Sequence, residues 1–237
     1  MIKRWIVLLG LVSISVLHGQ DACDKTKELI GKGRDAMMEN DLVKSGELLL
    51  LAKDESEKCS DPQWEAKALQ AMGKLNLQLE FKEKALDYFE QALNSEYANE
   101  DLSFKANLYN EKGSALMDLN ADLSREAVNQ SIDLYKEIGD TLQIIYPLNT
   151  IALLQIFKFN DIPSAISTLK ELNQINDVAK NQMMAIASKG LLATCYYNLE
   201  DFENAKVYFE ECLEESIEQD NIAYQTNCNY HLATIYD

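Results

Sequence analysis

Five cysteines and two histidines are the residues of this 237-residue chain that could attack a substrate or hold a metal ion. A structural zinc site takes four such ligands at short spacings, and only His231 lies near the later cysteines. Cys195, Cys212 and Cys228 stand among apolar residues at helical spacing, where a buried thiol acts as a small apolar side chain. We therefore expect no metal site and no cofactor, and leave the redox state of these three cysteines open.

Catalytic residues are also not apparent. Outside the first twenty residues His231 is the only histidine, so neither a Ser-His nor a Cys-His relay is expected. The carboxylate pairs at 210–211 and 214–215 fit a solvated helix face. The segment GKGR (31–34) lies within a helical pattern instead of following a strand, which makes it a weak phosphate-binding signal. The sequence predicts no enzyme activity for this segment.

Composition indicates an all-helical chain with a strongly acidic surface. Only 9 Gly and 3 Pro occur, and 47% of the residues are hydrophobic. The formal net charge is -17, and a field of that sign repels phosphate backbones and anionic lipids. We expect neither a nucleic-acid partner nor direct membrane contact from this segment.

The first twenty residues are typical of a secretory signal peptide. Lys3 and Arg4 precede an apolar run that is too short to cross a bilayer, and a small residue, Gly19, follows. Cleavage near Gly19 or Gln20 is the preferred interpretation, and lipidation of Cys23 is the alternative. Residues 1–20 thus predict an exported protein, most simply one of the bacterial periplasm.

Small residues recur at a spacing of forty along the rest of the chain. Gly33, Gly73, Gly113, Ala193 and Ala233 hold this position, and Ala152 or Leu153 holds it in the fourth unit. Two helices joined by a short turn require such residues where they pack closely. A fixed period of this length indicates stacked repeats.

The best-defined unit resembles the tetratricopeptide repeat family. It carries Leu192, Ala193, Tyr196, Asp201, Phe202, Ala205, Phe209 and Cys212 at the family's pattern positions. The resemblance implies an all-α, right-handed superhelical solenoid of antiparallel helix pairs with about five and a half repeats over residues 21–237. The units are expected near 26–65, 66–105, 106–145, 146–185 and 186–225, with an incomplete one at 226–237. Because the period exceeds the family's usual length, longer helices are expected.

The third repeat departs from this pattern. Arg125 stands where a small residue is required, and a turn shorter by one residue would instead bring Ser124, Val128 and Ser131 into register. Gly139 stands where a helix would end in a left-handed residue.

In this repeat register, Cys23 opens the first helix and Cys59 closes the second. They lie 17 and 19 residues from the turn at Asn40, so an antiparallel hairpin brings them level. We predict a Cys23–Cys59 disulfide, with two unrelated free thiols as the alternative.

The resemblance also implies a concave groove lined by the first helices, and thus a ligand site. The candidate groove residues are Lys27, Arg34, Lys67, Lys74, Asn107, Asn110, Phe157, Tyr197 and Asn198. The first two repeats contribute four bases and no acid, which favours an acidic peptide or protein partner, although a solvated face balanced by nearby acids is an equal alternative. Asparagine amides could bind the backbone of such a peptide.

The leading functional prediction is an exported protein-interaction or sensing module. Because Asp237 falls within a first helix, the repeats are expected to continue, and the resemblance extends to the amino-terminal sensor regions of bacterial membrane-bound regulators, tethered to the inner membrane by a later segment. The alternatives are a free-standing exported scaffold or assembly factor, and a repeat domain attached to a downstream enzyme.

Overall fold

The structure, a computed structural model, describes the backbone of residues 2–236 and the side chains of residues 20–236. The signal peptide expected over residues 1–20 therefore lies outside the described side chains, except for Gln20. Twelve α-helices and one short 3-10 helix (Thr141–Ile144) make up the regular structure of this part, and no strand occurs in it.

The chain divides into two compact units, Met1–Leu116 and Met117–Asp237. The first contains α1 (Ile2–Met38), α2 (Leu42–Ser56), α3 (Pro62–Gln78), α4 (Lys82–Leu93), α5 (Glu96–Glu100) and α6 (Leu102–Leu116). The second contains α7 (Ala121–Glu137), α8 (Ile145–Phe157), α9 (Ile162–Ala179), α10 (Gln182–Asn198), α11 (Phe202–Glu218) and α12 (Ile222–Tyr236). In each unit, consecutive helices pack as hairpins that stack on the next pair.

Short polar turns begin the second helix of these hairpins. The side chains of Asp41, Asp161 and Asp201 each accept a hydrogen bond from the backbone N–H three residues later, which satisfies a donor that the helix leaves unpaired. The residue before each of these caps has a left-handed backbone, at Asn40, Asn160 and Glu200, and Glu80 has one before α4, where Phe81 makes no side-chain cap. The same capping geometry thus recurs at turns that lie forty residues, or a multiple of forty, apart.

The recurring small residues let the two helices of a hairpin approach closely. A Cβ added to Gly33 would lie 2.6 Å from Leu49 Cδ2, and one added to Gly73 would lie 2.7 Å from Phe89 Cδ1. Leu49 and Phe89 are themselves completely buried. At these two positions the core of the hairpin therefore has no room for a methyl group, and glycine is required.

The third repeat uses the shorter turn. Helix α7 begins at Ala121 with Asn120 as its N-cap, one residue earlier than the forty-residue spacing requires. Ser124, Val128 and Ser131 are consequently buried, whereas Arg125 is exposed. The register that places Arg125 at a packing position is wrong, and the alternative register is the observed one.

Two other sequence expectations are settled by the described residues. In the fourth repeat Ala152 is completely buried and Leu153 is not, so Ala152 holds the small position. Gly139 follows α7 with a φ of 73°, as expected for a left-handed helix end.

The longer period is not due to longer helices throughout. After α4 the extra residues form the separate helix α5, which Ser95 begins by accepting a hydrogen bond from the N–H of Ala98. Before α8 they form the 3-10 helix. The exact repeat boundaries given above stay a prediction.

A disulfide joins Cys23 to Cys59, with 4.8 Å between their Cα atoms. It connects α1 to the segment that follows α2, and Cys23 is almost completely buried. The first hairpin is therefore covalently closed.

Among the described residues, none of the helices combines the length and the apolar character that a membrane crossing requires.

Candidate functional site

A cleft of 610 Å³ opens in the first unit between α1, α3 and α6. We call it the basic cleft. Its lining residues are Arg34, Met37, Met38, Gln70, Lys74, Gln78 and Asn107. First helices supply all of them, as the repeat register predicts, because the second helices pack behind. Arg34, Lys74 and Asn107 are the three expected groove residues that the structure brings together here.

A fixed polar network forms the inner side of the basic cleft. Gln70 Nε2 donates hydrogen bonds to Asn107 Oδ1 at 2.6 Å and to Glu111 Oε2 at 3.1 Å. Lys74 Nζ lies 3.0 Å from Glu111 Oε1. Burial raises the pKa of Glu111, against the opposing charge of Lys74. The network holds Gln70 and Asn107 in place and neutralises one of the two cations of the cleft.

Arg34 is the cation that this network leaves available. Its side chain is exposed, and among the described residues it makes no hydrogen bond or ion pair. Its positive charge favours the ionised form of Glu111 and so opposes the rise that burial causes in the pKa of Glu111. The basic cleft therefore presents one uncommitted guanidinium beside the methionines Met37 and Met38.

Lys67, the third expected base, does not line the basic cleft, and its ammonium group lies over two aromatic rings instead. Its Nζ lies 5.2 Å from the centroid of Trp64 and 5.5 Å from that of Tyr97. Burial lowers the pKa of Lys67, which the negative charge of Asp101 counteracts. Tyr97 donates a hydrogen bond to Asp101 at 2.5 Å. Lys67 thus belongs to a structural cation–π cluster.

Lys27 joins the same cluster at its edge, with its Nζ 6.0 Å from the Trp64 centroid. Asn110 is half-buried on α6 and does not line the basic cleft. The four bases therefore separate into two pairs, and two acids that the register overlooked, Asp101 and Glu111, lie among them. This arrangement agrees with the alternative in which nearby acids balance the bases, and an acidic partner stays a prediction.

The second unit has its own cleft, of 310 Å³, which is lined mainly by apolar atoms. We call it the apolar cleft. It is formed by α8, α10 and α12 through Phe157, Ala187, Gly190, Leu191, Thr194, Ala223, Tyr224 and Asn227. Phe157 is 60% exposed, which is a large fraction for an aromatic ring. Of the three candidate groove residues named above for this unit, Phe157, Tyr197 and Asn198, the cleft is lined by Phe157.

Tyr197 packs between helices instead of lining the apolar cleft. Its ring centroid lies 5.3 Å from that of His231 and 5.6 Å from that of Phe202. Asn198 is exposed at the end of α10. A ligand role for these two residues stays a prediction.

His231 stacks on Phe209 with 4.8 Å between ring centroids. Its Nδ1 is buried and has no hydrogen-bond partner in the part of the chain that the structure describes, and burial lowers the pKa of the imidazole. A histidine with a lowered pKa in the folded state binds its proton more readily when unfolded. The pKa of His231 in the unfolded chain is about 6.5, and its pKa in the folded chain is lower. The free energy of unfolding should therefore fall as the pH drops below about 6.5 towards the pKa of the folded state.

The change His231→Gln tests this dependence. We expect the wild-type chain to lose more stability than the variant between pH 7.5 and pH 5.5, measured as the urea midpoint of the helical signal. Because the carboxylates titrate alike in both proteins, the difference isolates His231. Parallel losses in the two proteins would contradict the prediction.

Among the side chains that the structure describes, no three His, Cys, Asp or Glu residues are grouped as a metal site would require.

Comparison with known proteins supports the repeat assignment. Residues 186–216 match the tetratricopeptide repeat family model. No curated protein sequence matches the chain.

Several solved structures share the fold at low sequence identity. Aspartyl phosphate phosphatase F from Bacillus subtilis aligns with a TM-score of 0.76 and 13% identity, over 89% of this chain and 55% of its own. NprR in complex with its cognate peptide NprX aligns with a TM-score of 0.63 and 17% identity, over 89% and 60%. A signal transduction ATPase with a tetratricopeptide repeat sensor from Pyrococcus horikoshii aligns with a TM-score of 0.75 and 16% identity, over 99% and 36%.

The chain thus spans between about one third and three fifths of these three proteins. The all-α repeat fold expected from the sequence is confirmed by these alignments and by the helices themselves. Residues 186–216 are a tetratricopeptide repeat, and the chain has the fold of the tetratricopeptide-like helical repeat proteins.

Proposed function

We propose that this chain is an exported sensing or protein-interaction module that binds an extended peptide segment in the basic cleft, through a carboxylate of the peptide. The single observation that carries the proposal is the exposed guanidinium of Arg34 at the mouth of a 610 Å³ cleft, with no partner among the described residues. An arginine in this position is suited to a carboxylate because it donates two parallel hydrogen bonds.

The rest of the basic cleft supports a peptide as ligand. Because Gln70 donates to the Asn107 oxygen, the Asn107 side-chain NH₂ remains a donor for a peptide carbonyl. Met37 and Met38 add flexible apolar surface, which adapts to different side chains. Met38 is 87% exposed, so this surface is accessible to a ligand.

Two of the similar structures support a regulatory role for the peptide complex. NprR is seen bound to its cognate peptide, and the archaeal ATPase carries its repeats as a sensor. The signal-peptide pattern of residues 1–20 is the basis for placing the module outside the cytoplasm, most simply in the periplasm of a bacterium and as part of a membrane-bound regulator.

The charge reversal Arg34→Glu tests the proposal. A library of extended peptides with acidic side chains and free carboxyl termini is screened for binding by fluorescence anisotropy. For the selected peptides we expect a loss of affinity of roughly tenfold or more in the variant, since a charge-assisted hydrogen bond contributes about 1.5–3 kcal/mol. Amidated peptides without acidic side chains should not be selected.

Lys84→Glu is the matched control. Lys84 is an exposed lysine of α4, outside the basic cleft, and its reversal changes the net charge by the same amount. We expect it to leave peptide affinity within about twofold, because exposed charges at a distance are screened by salt. Equal losses in the two variants would show that general acidity, and not the cleft, controls binding.

A further inference from the structure

Two cysteines of the second unit face each other across neighbouring helices. Cys212 on α11 and Cys228 on α12 are both completely buried, and their Sγ atoms lie 2.9 Å apart. A disulfide requires about 2.05 Å between the sulfurs. A movement of less than about 1 Å therefore separates this thiol pair from bonding distance.

The pair lies directly behind the wall of the apolar cleft. A Cβ added to Gly190 of α10 would lie 3.4 Å from Cys212 Sγ and 3.5 Å from Tyr224 Cε1. Gly190 and Tyr224 both line that cleft. Cys228 follows Asn227, a further lining residue, by one position. The position of α12 against α11 thus determines the shape of one side of the cleft.

We propose that Cys212 and Cys228 form a second disulfide, which fixes α12 and with it the Tyr224 and Asn227 side of the apolar cleft. The first unit already contains the Cys23–Cys59 disulfide, and disulfides persist in compartments that oxidise thiols. A thiol pair in the same chain is exposed to the same conditions during folding.

A small-molecule disulfide, RSSR, serves as oxidant and reaches the buried pair when α12 opens transiently from α11. Cys228 attacks first, because a hydrogen bond with the neighbouring Cys212 thiol lowers the pKa of Cys228. The attack forms a Cys228–S–SR mixed disulfide and releases one RSH, which takes up the proton of the Cys228 thiol. Cys212 then attacks the Cys228 sulfur and releases the second RSH with its own proton. Two protein thiols are oxidised, and one RSSR is reduced to two RSH.

Cys195 provides an internal reference for this reaction. It is completely buried on α10, burial raises its pKa to about 11, and among the described residues no second sulfur lies within reach of it. It should stay reduced under conditions that oxidise the pair.

The test uses the full chain with the Cys23–Cys59 disulfide intact, incubated with oxidised glutathione and then denatured in an alkylating reagent without reductant. The three free cysteines of the structure should decrease to a single alkylated thiol, Cys195. Digestion after glutamate cuts at Glu214, Glu215 and Glu218, which separates the two cysteines. A linked pair of the Cys212 and Cys228 peptides, released by reductant, is the expected product.

Recovery of both cysteines in alkylated form would overturn the proposal, and so would glutathione adducts on either one without the linked peptide. The change Cys228→Ala should leave two alkylated thiols, Cys195 and Cys212, and no linked peptide. Should that variant not fold, amide hydrogen exchange of the wild-type protein gives a second readout. Oxidation should slow exchange in α12 relative to α9, and unchanged exchange in α12 would contradict the structural consequence.

Discussion

Removing the Cys23–Cys59 disulfide lowers the free energy of unfolding of the first unit by about 4 kcal/mol, the value that the chain-entropy model gives for a loop of this length. The bond restricts the unfolded chain over a sequence separation of 36 residues, and its loss returns that conformational freedom. The double change Cys23→Ala with Cys59→Ala removes it without leaving polar hydroxyls at a buried position.

Urea unfolding followed by the fluorescence of Trp64 is the measurement, because Trp64 lies on α3 in the same unit. A Trp5→Phe background leaves it as the only tryptophan. Reductant should lower the midpoint of the protein with native cysteines to that of the double variant, and should not change the double variant. A urea midpoint that is lowered neither by the double change nor by reductant would contradict the prediction.

The change Gly73→Ala destabilises the first unit by about 1–3 kcal/mol, a typical cost of overpacking a core. The new methyl group would be 2.7 Å from Cδ1 and 2.9 Å from Cζ of Phe89. Phe89 has no exposed surface, so its ring cannot move aside without displacing α3 or α4. The same Trp64 unfolding experiment measures the effect.

Gly31→Ala is the matched control for this change. Gly31 also lies within a helix, but no side-chain or distant backbone atom is within 4 Å of its added Cβ. Its replacement should leave stability unchanged or raise it by up to about 1 kcal/mol through helix propensity. A second change, Phe89→Leu, should recover part of the loss in the Gly73→Ala protein, because the two residues compete for the same space. Similar losses from Gly31→Ala and Gly73→Ala would refute the steric explanation.

Much of the fold could be predicted from the sequence because one packing requirement recurs every forty residues. Gly33 and Gly73 mark the same close approach, and Gly139 marks a helix end that needs a left-handed backbone. The separate helix α5 was not predicted, because it depends on a local event: α4 ends at Leu93, and two residues later Ser95 caps the start of a new helix. A period averaged over all repeats cannot indicate a capping event that occurs in one of them.

The candidate site was less predictable. A repeat register identifies which residues of one helix share a face, but it does not indicate which side chains of other helices pack against them. Arg34 and Lys74, two of the predicted groove residues, line one cleft. Glu111 was missed because it lies one position outside the pattern used for the groove, yet its side chain reaches Lys74 from the adjacent α6. The sequence predicts a ligand role for Lys67 because it does not reveal the ring of Tyr97 beneath the Lys67 ammonium group. Tyr97 lies on α5, the helix that the sequence does not predict.

The disulfide has a mechanical consequence that differs from its effect on stability. When tension is applied along the chain on both sides of the first hairpin, the force passes from Cys23 to Cys59 through the sulfur bridge. The intervening residues, whose extended length would be roughly 120–130 Å at about 3.5 Å per residue, do not lengthen. The first hairpin therefore acts as an inextensible element at the amino-terminal end of the described repeats, and any stretching begins beyond it.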